Sequence, residues 1–287
     1  MQQRQILQAI GLMLIAMVLI PSGDAAGKLL VANHGVSPLF VAWSRFLIGA
    51  VVFLPFAGRF EARLFLDWRI WLRAVFIVGG ISSILTALRT EPISNVYAIF
   101  FVGPILSYFL SAMLLKEQIS RSRTTLLLIG FGGVLLVVKP GSDMGAGAVY
   151  ALLAGAFYGC YLVANRWLVT VARPRMMLLS QLIIGALLLT PLGIAGIPQL
   201  SAPVFSLSML SAIASLLGNL ALILAYRRAE ASKLAPLLYV QLISAATLGA
   251  VLFDSWPDTL ALLGISILLT TGFASFLIRP KPAAALS

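Results

Sequence analysis

Three charged residues stand in stretches otherwise suited to hydrocarbon: Asp24, Lys28 and Arg45. A charge at bilayer depth costs on the order of 3 kcal/mol or more, so it faces a partner or a wet cavity. Asp24 lies about seven residues before the end of one apolar run, and Arg45 about seven residues into the next. At roughly 1.5 Å per residue, both sit ~10 Å from the same face. Asp24 and Lys28 are four positions apart and share a helix face. Such a cluster suits holding a zwitterion, coupling a proton or gating one side. A buried salt bridge fixing one helix to the next fits the same pattern.

Further polar groups fall inside apolar runs: Asn95, Tyr97, Tyr158, Gln181, Asn219, Tyr239 and Gln241. A buried amide or hydroxyl without a partner costs about 2 kcal/mol or more, so each bonds a neighbouring helix or lines a cavity. As a set they favour a solute cavity. Phe100, Phe101 and Phe109 are expected as lipid or core contacts, and Trp68, Trp71, Trp167 and Trp256 as interfacial anchors. Pro21, Pro104 and Pro236 remove backbone hydrogen bonds within spans, which is tolerated where neighbours or cavity water satisfy the freed carbonyls. They are the hinge candidates.

Several chemistries are excluded. Gly23 to Lys28 imitates a phosphate loop, but only three residues separate its glycines and Leu29 follows the lysine, whereas the loop requires four and then Ser or Thr. The single cysteine, Cys160, and the single histidine, His34, offer no His/Cys metal cluster and no internal disulfide. No Ser/His/Asp grouping suggests catalysis, so no enzyme activity, metal or cofactor is expected. The net charge of +11 belongs to short loops rather than to a nucleic-acid face.

The elements that position these residues are membrane helices. The chain is 61% hydrophobic and 10% charged, against about 25% charged in soluble domains. A span needs roughly 20 apolar residues. Ten runs qualify: Ile6–Val31, Pro38–Ala57, Ile70–Leu88, Ile93–Leu115, Thr124–Val138, Gly145–Trp167, Pro174–Ile194, Ser201–Tyr226, Ser232–Phe253 and Pro257–Ile278. A β-barrel would show alternating polarity instead. The expected class is an all-α integral membrane protein of ten transmembrane helices.

Basic residues set the orientation. With the N-terminus in the cytoplasm, that side receives Arg4, the Arg59–Arg73 group, Lys116 with Arg121 and Arg123, Arg166 to Arg175, Arg227 to Lys233, and Arg279 with Lys281. The outer side receives Lys28, Arg89 and Lys139. Both termini are expected in the cytoplasm, in the inner (plasma) membrane of the cell. A signal-peptide reading of the first run is set aside because that run has a counterpart in the sixth. Internal similarity supports this. Arg45–Pro55 (RFLIGAVVFLP) faces Gln181–Pro191 (QLIIGALLLTP), Leu72 meets Leu210, Gly80 meets Gly218 and Arg89 meets Arg227. Five helices per half is an odd number, so the halves, 1–140 and 141–287, are expected as inverted repeats around a midplane site. Gly23/Gly27 and Gly155/Gly159 are small-xxx-small pairs, read as internal packing rather than as a homodimer contact.

The order of Gly23-Asp24 with Lys28, Pro38 through Arg45 and Pro55, Pro104 to Lys116-Glu117, Gly130 to Gly133, Ala235-Pro236 and Pro257 resembles the drug/metabolite transporter superfamily, and within it the EamA-type ten-helix carriers. Asp254-Ser255 stands where the second half usually has a glutamate. The resemblance covers nearly the whole chain and implies a central cavity lined by helices 1–4 and 6–9. It implies a secondary carrier working by alternating access on a small-molecule solute, as a monomer or weak homodimer in the lipid bilayer. Export of amino acids, including aromatic ones, is the first expectation. Uptake of S-adenosylmethionine, riboflavin or a nucleotide-like solute is the alternative, since the Asp24, Lys28, Arg45 pattern also looks like such carriers. A membrane enzyme or a channel is the expectation from a different class. Under the repeat, Asp24, Lys28 and Arg45 face Cys160, Ala164 and Gln181, so one end of the cavity is expected to be charged and the other neutral.

Overall fold

A computed structural model describes residues 2–116, 121–139, 145–168, 170–226, 228 and 235–277. Among these, all regular structure is helical: α1 Gln2–His34, α2 Pro38–Phe53, α3 Trp68–Ala87, α4 Ile93–Phe100, α5 Val102–Leu114, α6 Arg121–Val138, α7 Ala146–Trp167, α8 Pro174–Ala195, α9 Ala202–Tyr226, α10 Val240–Phe253 and α11 Thr259–Leu277, with short 3₁₀ turns including Ala235–Tyr239. Seven spans are long and apolar enough to cross a membrane, and Thr124–Val138, Leu237–Phe253 and Thr259–Ala274 are shorter apolar helices. Glu117, Arg227, Lys233, Arg279 and Lys281, with the expected span ends at Ser232 and Ile278, lie outside the described residues.

The helices are apolar all round, so burial does not follow an oily stripe. In α2 the residues turned inward include Ser44, Arg45 and Gly49 beside Phe40 and Phe46, while Leu47, Val51 and Val52 are exposed. That distribution suits a solvent as apolar as the core: polar groups collect inside because lipid cannot satisfy them. Proline opens equivalent helices, at N1 or N2 of both α2 and α8, where its missing N–H is harmless. Asp67 caps α3, its Oδ1 accepting from Arg69 N at 2.9 Å.

Packing pairs elements from the two ends of the chain. The most extensive neighbours are α1 with α9, α3 with α7, α6 with α11 and α2 with α8; α5 packs on α7, and α1 on α10. Two apolar segments are broken. The span Ile93–Leu115 breaks between α4 and α5 at Phe101, and the apolar segment Leu237–Phe253 passes from 3₁₀ into α-helix at Tyr239. Phe101 and Tyr239, 138 positions apart, meet in a tilted contact with ring centroids 4.9 Å apart. Lys116 and Asp254, separated by the same 138 positions, both take left-handed backbone, φ 56 and 46.

The first break has a local cause. The Pro104 ring excludes an α-helical bond to the carbonyl four residues back, at Phe100. That carbonyl lies so close to Gly155 of α7 that a Cβ there would sit 2.8 Å from its oxygen, and a Cβ on Gly103 would meet Gly155 O at 2.6 Å. Gly155 and Gly159 thus face α5, while Gly23 faces Ser211 and Ser215 and Gly27 faces Arg45. Each of the four glycines packs against this same chain. α1 runs unbroken through Pro21, and Pro236 lies in the Ala235–Tyr239 turn.

Candidate functional site

Five helices converge on Asp24. From α2, Arg45 Nη1 donates to Asp24 Oδ1 at 2.5 Å. From α4, the Tyr97 hydroxyl donates to Oδ2 at 2.6 Å. From α9, Ser211 Oγ accepts from Arg45 Nε at 2.7 Å and donates to Gly23 O at 2.8 Å. Arg45 Nη2 donates to Gly23 O at 2.6 Å. From α10, buried Gln241 lies beside the Tyr97 hydroxyl. All are buried, and Asp24 is the only carboxylate buried among the described residues. Gly27 makes the arrangement possible, since a Cβ there would fall 2.6 Å from Arg45 Nη2.

Lys28 does not join this cluster, although its spacing from Asp24 placed it there. Its ammonium donates to Leu88 O at 3.0 Å and Glu91 O at 2.5 Å, at the C-terminal end of α3 where unpaired carbonyls attract cations. It also sits 5.3 Å from the Phe253 ring centroid. Helix-face spacing alone could not reveal this neighbour.

A second polar node forms where neutrality was expected. Gln181, the counterpart of Arg45, accepts from Arg73 Nη2 and from Tyr161 OH, both at 2.8 Å. Arg73 also donates to Asn165 Oδ1 at 2.5 Å, Met177 O at 3.1 Å and Tyr161 OH at 3.1 Å. Arg73 was counted only among the basic residues of the cytoplasmic side; it lies in α3, within the expected third span, and is buried. The expected contrast between a charged and a neutral end is therefore corrected, because α3 supplies a charge that α8 lacks. The clue was available in the repeat: Arg73 stands 138 positions before Ser211, the residue that holds Arg45.

Aromatic rings connect the two nodes. Tyr97 lies 6.2 Å from Phe100, Phe100 4.7 Å from Tyr158, and Tyr158 6.0 Å from Tyr161. The Arg73 guanidinium sits 5.0 Å from the Tyr161 centroid. Phe100, expected as a lipid or core contact, packs against the core and belongs to this ladder. Such rings offer flat faces for stacking and for cation–π contact.

The remaining candidates lie elsewhere. Asn219 donates to Ser215 O of its own helix at 2.8 Å. Tyr239 packs on Phe101 at the paired helix breaks. Asn95 Oδ1 and Ser94 Oγ are buried atoms without a protein partner.

The EamA-like transporter family matches residues 7–139 and again 145–277. The S-adenosylmethionine uptake transporter of Rickettsia bellii (strain RML369-C) is 26% identical over 267 residues, covering 91% of this chain and 90% of that protein. The riboflavin transporter of Rhizobium johnstonii (strain DSM 114642 / LMG 32736 / 3841) is 24% identical, covering 79% and 75%. A solved crystal structure at 17% identity superposes with a TM-score of 0.68 over 94% of this chain and 96% of that one, a likeness that concerns the fold alone.

Proposed function

We propose a substrate class on one premise: this chain belongs to the EamA-like transporter family and is a membrane-embedded transporter of small metabolites. It takes up a flat heteroaromatic metabolite that carries charge, with S-adenosylmethionine the leading candidate. The observation that carries this reading is the ladder Tyr97, Phe100, Tyr158, Tyr161 between a buried carboxylate and a buried guanidinium. A purine ring stacks on such faces, and a sulfonium gains cation–π attraction there. Riboflavin is the second reading; its ring system stacks equally well but makes less use of charged ends. Amino-acid export, the first expectation from sequence, gains nothing from the relatives, which are named for S-adenosylmethionine uptake and for riboflavin transport.

The working cycle follows the repeat. Ten spans in two inverted halves, about 1–140 and 141–287, would exchange conformations and alternate access at the ladder. The reciprocal packing of α1 on α9 and α3 on α7, the paired breaks at Phe101 and Tyr239, and the left-handed residues Lys116 and Asp254 support this plan. The break beside Pro104 serves as a hinge, with Pro21 and Pro236 as further hinge candidates. Both termini face the cytoplasm of the inner membrane, as the basic loops suggest.

Tyr158→Ala tests the ladder. Saturable S-adenosylmethionine uptake by the purified carrier in liposomes should lose about 10-fold in KM, as one stacking face worth ~1.5 kcal/mol is removed. Phe109→Ala, whose ring pairs with Tyr108 and not with a ladder ring, serves as control. Equal uptake by both variants and the unaltered protein would remove the ladder from the site.

A further inference from the structure

We infer that Arg73 is a separate subsite for the carboxylate of the transported solute, an inference that rests on the ladder reading above. Arg73 is 3% exposed, and all the acceptors of its guanidinium are neutral: the Asn165 and Gln181 amides, the Tyr161 hydroxyl and the Met177 carbonyl. Among the described residues the ion pairs are Arg45 with Asp24, Arg69 with Asp67, and Lys139 with Asp258; none involves Arg73. A buried cation without a counter-ion is costly, and neutral acceptors offset only part of that cost. An arriving anion offsets the remainder.

The repeat shows why the counter-ion is missing. The first node is Arg45 with Ser211, and its counterpart is Gln181 with Arg73; the arginine has moved from one member of the pair to the other. The acid has no such replacement, because Cys160 stands 136 positions after Asp24. The second node therefore keeps a cation and lacks a carboxylate. Guanidinium geometry suits a carboxylate in particular, since its planar fork can present two N–H groups to two oxygens. Four of its five N–H groups are engaged here, and the weakest bonds, 3.1 Å to Met177 O and Tyr161 OH, are the ones a charged acceptor displaces most readily. Tyr161 also belongs to the ladder, so a ring stacked on Tyr158 brings a chain of a few atoms to Arg73. The amino-acid end of S-adenosylmethionine has that reach and ends in a carboxylate.

The experiment compares S-adenosylmethionine with its decarboxylated analogue as competitors of labelled S-adenosylmethionine uptake in liposomes. The unaltered carrier should prefer the carboxylated form by about 10-fold to 100-fold, the range of a charge-assisted hydrogen bond. Arg73→Gln should abolish the preference by weakening the carboxylated form alone, and Arg73→Lys should restore part of it. Equal inhibition of the unaltered carrier by both competitors overturns the subsite while leaving the uptake reading intact. That result needs no variant and stands even if Arg73→Gln fails to fold. Absence of saturable S-adenosylmethionine uptake overturns the substrate reading and the subsite together.

Discussion

Asp24→Asn isolates the charge of the central node, because the amide keeps the shape of the carboxylate. Its oxygen can still accept from Arg45, and its other position can still meet the Tyr97 hydroxyl, now as donor. Arg45 retains its bonds to Ser211 and Gly23. The loss is therefore electrostatic. Two unit charges about 4 Å apart attract by ~4 kcal/mol at an effective dielectric near 20, and removing one partner of a buried pair costs about 3–5 kcal/mol. The membrane-embedded unfolded state also finds polar partners, which places the expectation at ~3 kcal/mol. For a chain of this size that lowers the thermal midpoint by roughly 6–12 °C. Asp24→Asn with Arg45→Gln removes both charges and should cost only about 1 kcal/mol, so the cycle yields a coupling of ~2 kcal/mol or more. Thermal unfolding followed by tryptophan fluorescence in one detergent measures all four proteins. Additive costs, or an Asp24→Asn protein as stable as the unaltered one, would refute the assignment of this pair as the tie between α1 and α2.

Three further outcomes follow from other contacts. Gly27→Ala places a methyl 2.6 Å from Arg45 Nη2 and 2.8 Å from Leu85 Cδ2; an overpacking cost of about 1–3 kcal/mol is expected, and unfolding in the same assay checks it. Pro104→Ala lets residue 104 bond the Phe100 carbonyl; the thermal midpoint should rise or hold while uptake slows several-fold, and unchanged uptake would remove the hinge. Asp258 caps α11 through Ala261 N at 2.9 Å and pairs with Lys139. The hydrogen bond from Lys139, joined by the Ala261 N–H, holds its carboxyl below the ordinary carboxylate value. A depressed folded pKa adds stability above the unfolded value near 3.9, lost as pH falls through the folded one. Asp258→Ala should cost about 1 kcal/mol at pH 7, mostly as a lost cap, and the gap to the unaltered protein should narrow below about pH 4; a pH-independent gap would deny the ionised cap.

How far the sequence was legible depended on what each residue's surroundings added. Helicity, membrane residence and family were readable because long apolar runs admit few alternatives. The depth of Asp24 and Arg45 could be counted along two adjoining helices, and the structure brings the two into contact. Lys28 was misplaced because four-residue spacing sets a helix face but not the neighbour across it, here the end of α3. Arg73 was counted with Arg69 as a basic residue of one side although it falls within the expected third span; its alignment with Ser211 is what marks it as a partner of Gln181. The ladder was illegible because Tyr97 and Phe100 come from α4, Tyr158 and Tyr161 from α7, and their approach depends on Gly155 and Gly103, whose small size lets the backbones meet.

The most direct test is uptake of labelled S-adenosylmethionine into liposomes holding the purified carrier, with unlabelled S-adenosylmethionine, riboflavin and phenylalanine as competitors. Saturable uptake suppressed by S-adenosylmethionine, more weakly by riboflavin and not by phenylalanine, is the expected result. Saturable transport of phenylalanine without S-adenosylmethionine uptake, or unsaturable flux of any solute, would contradict it.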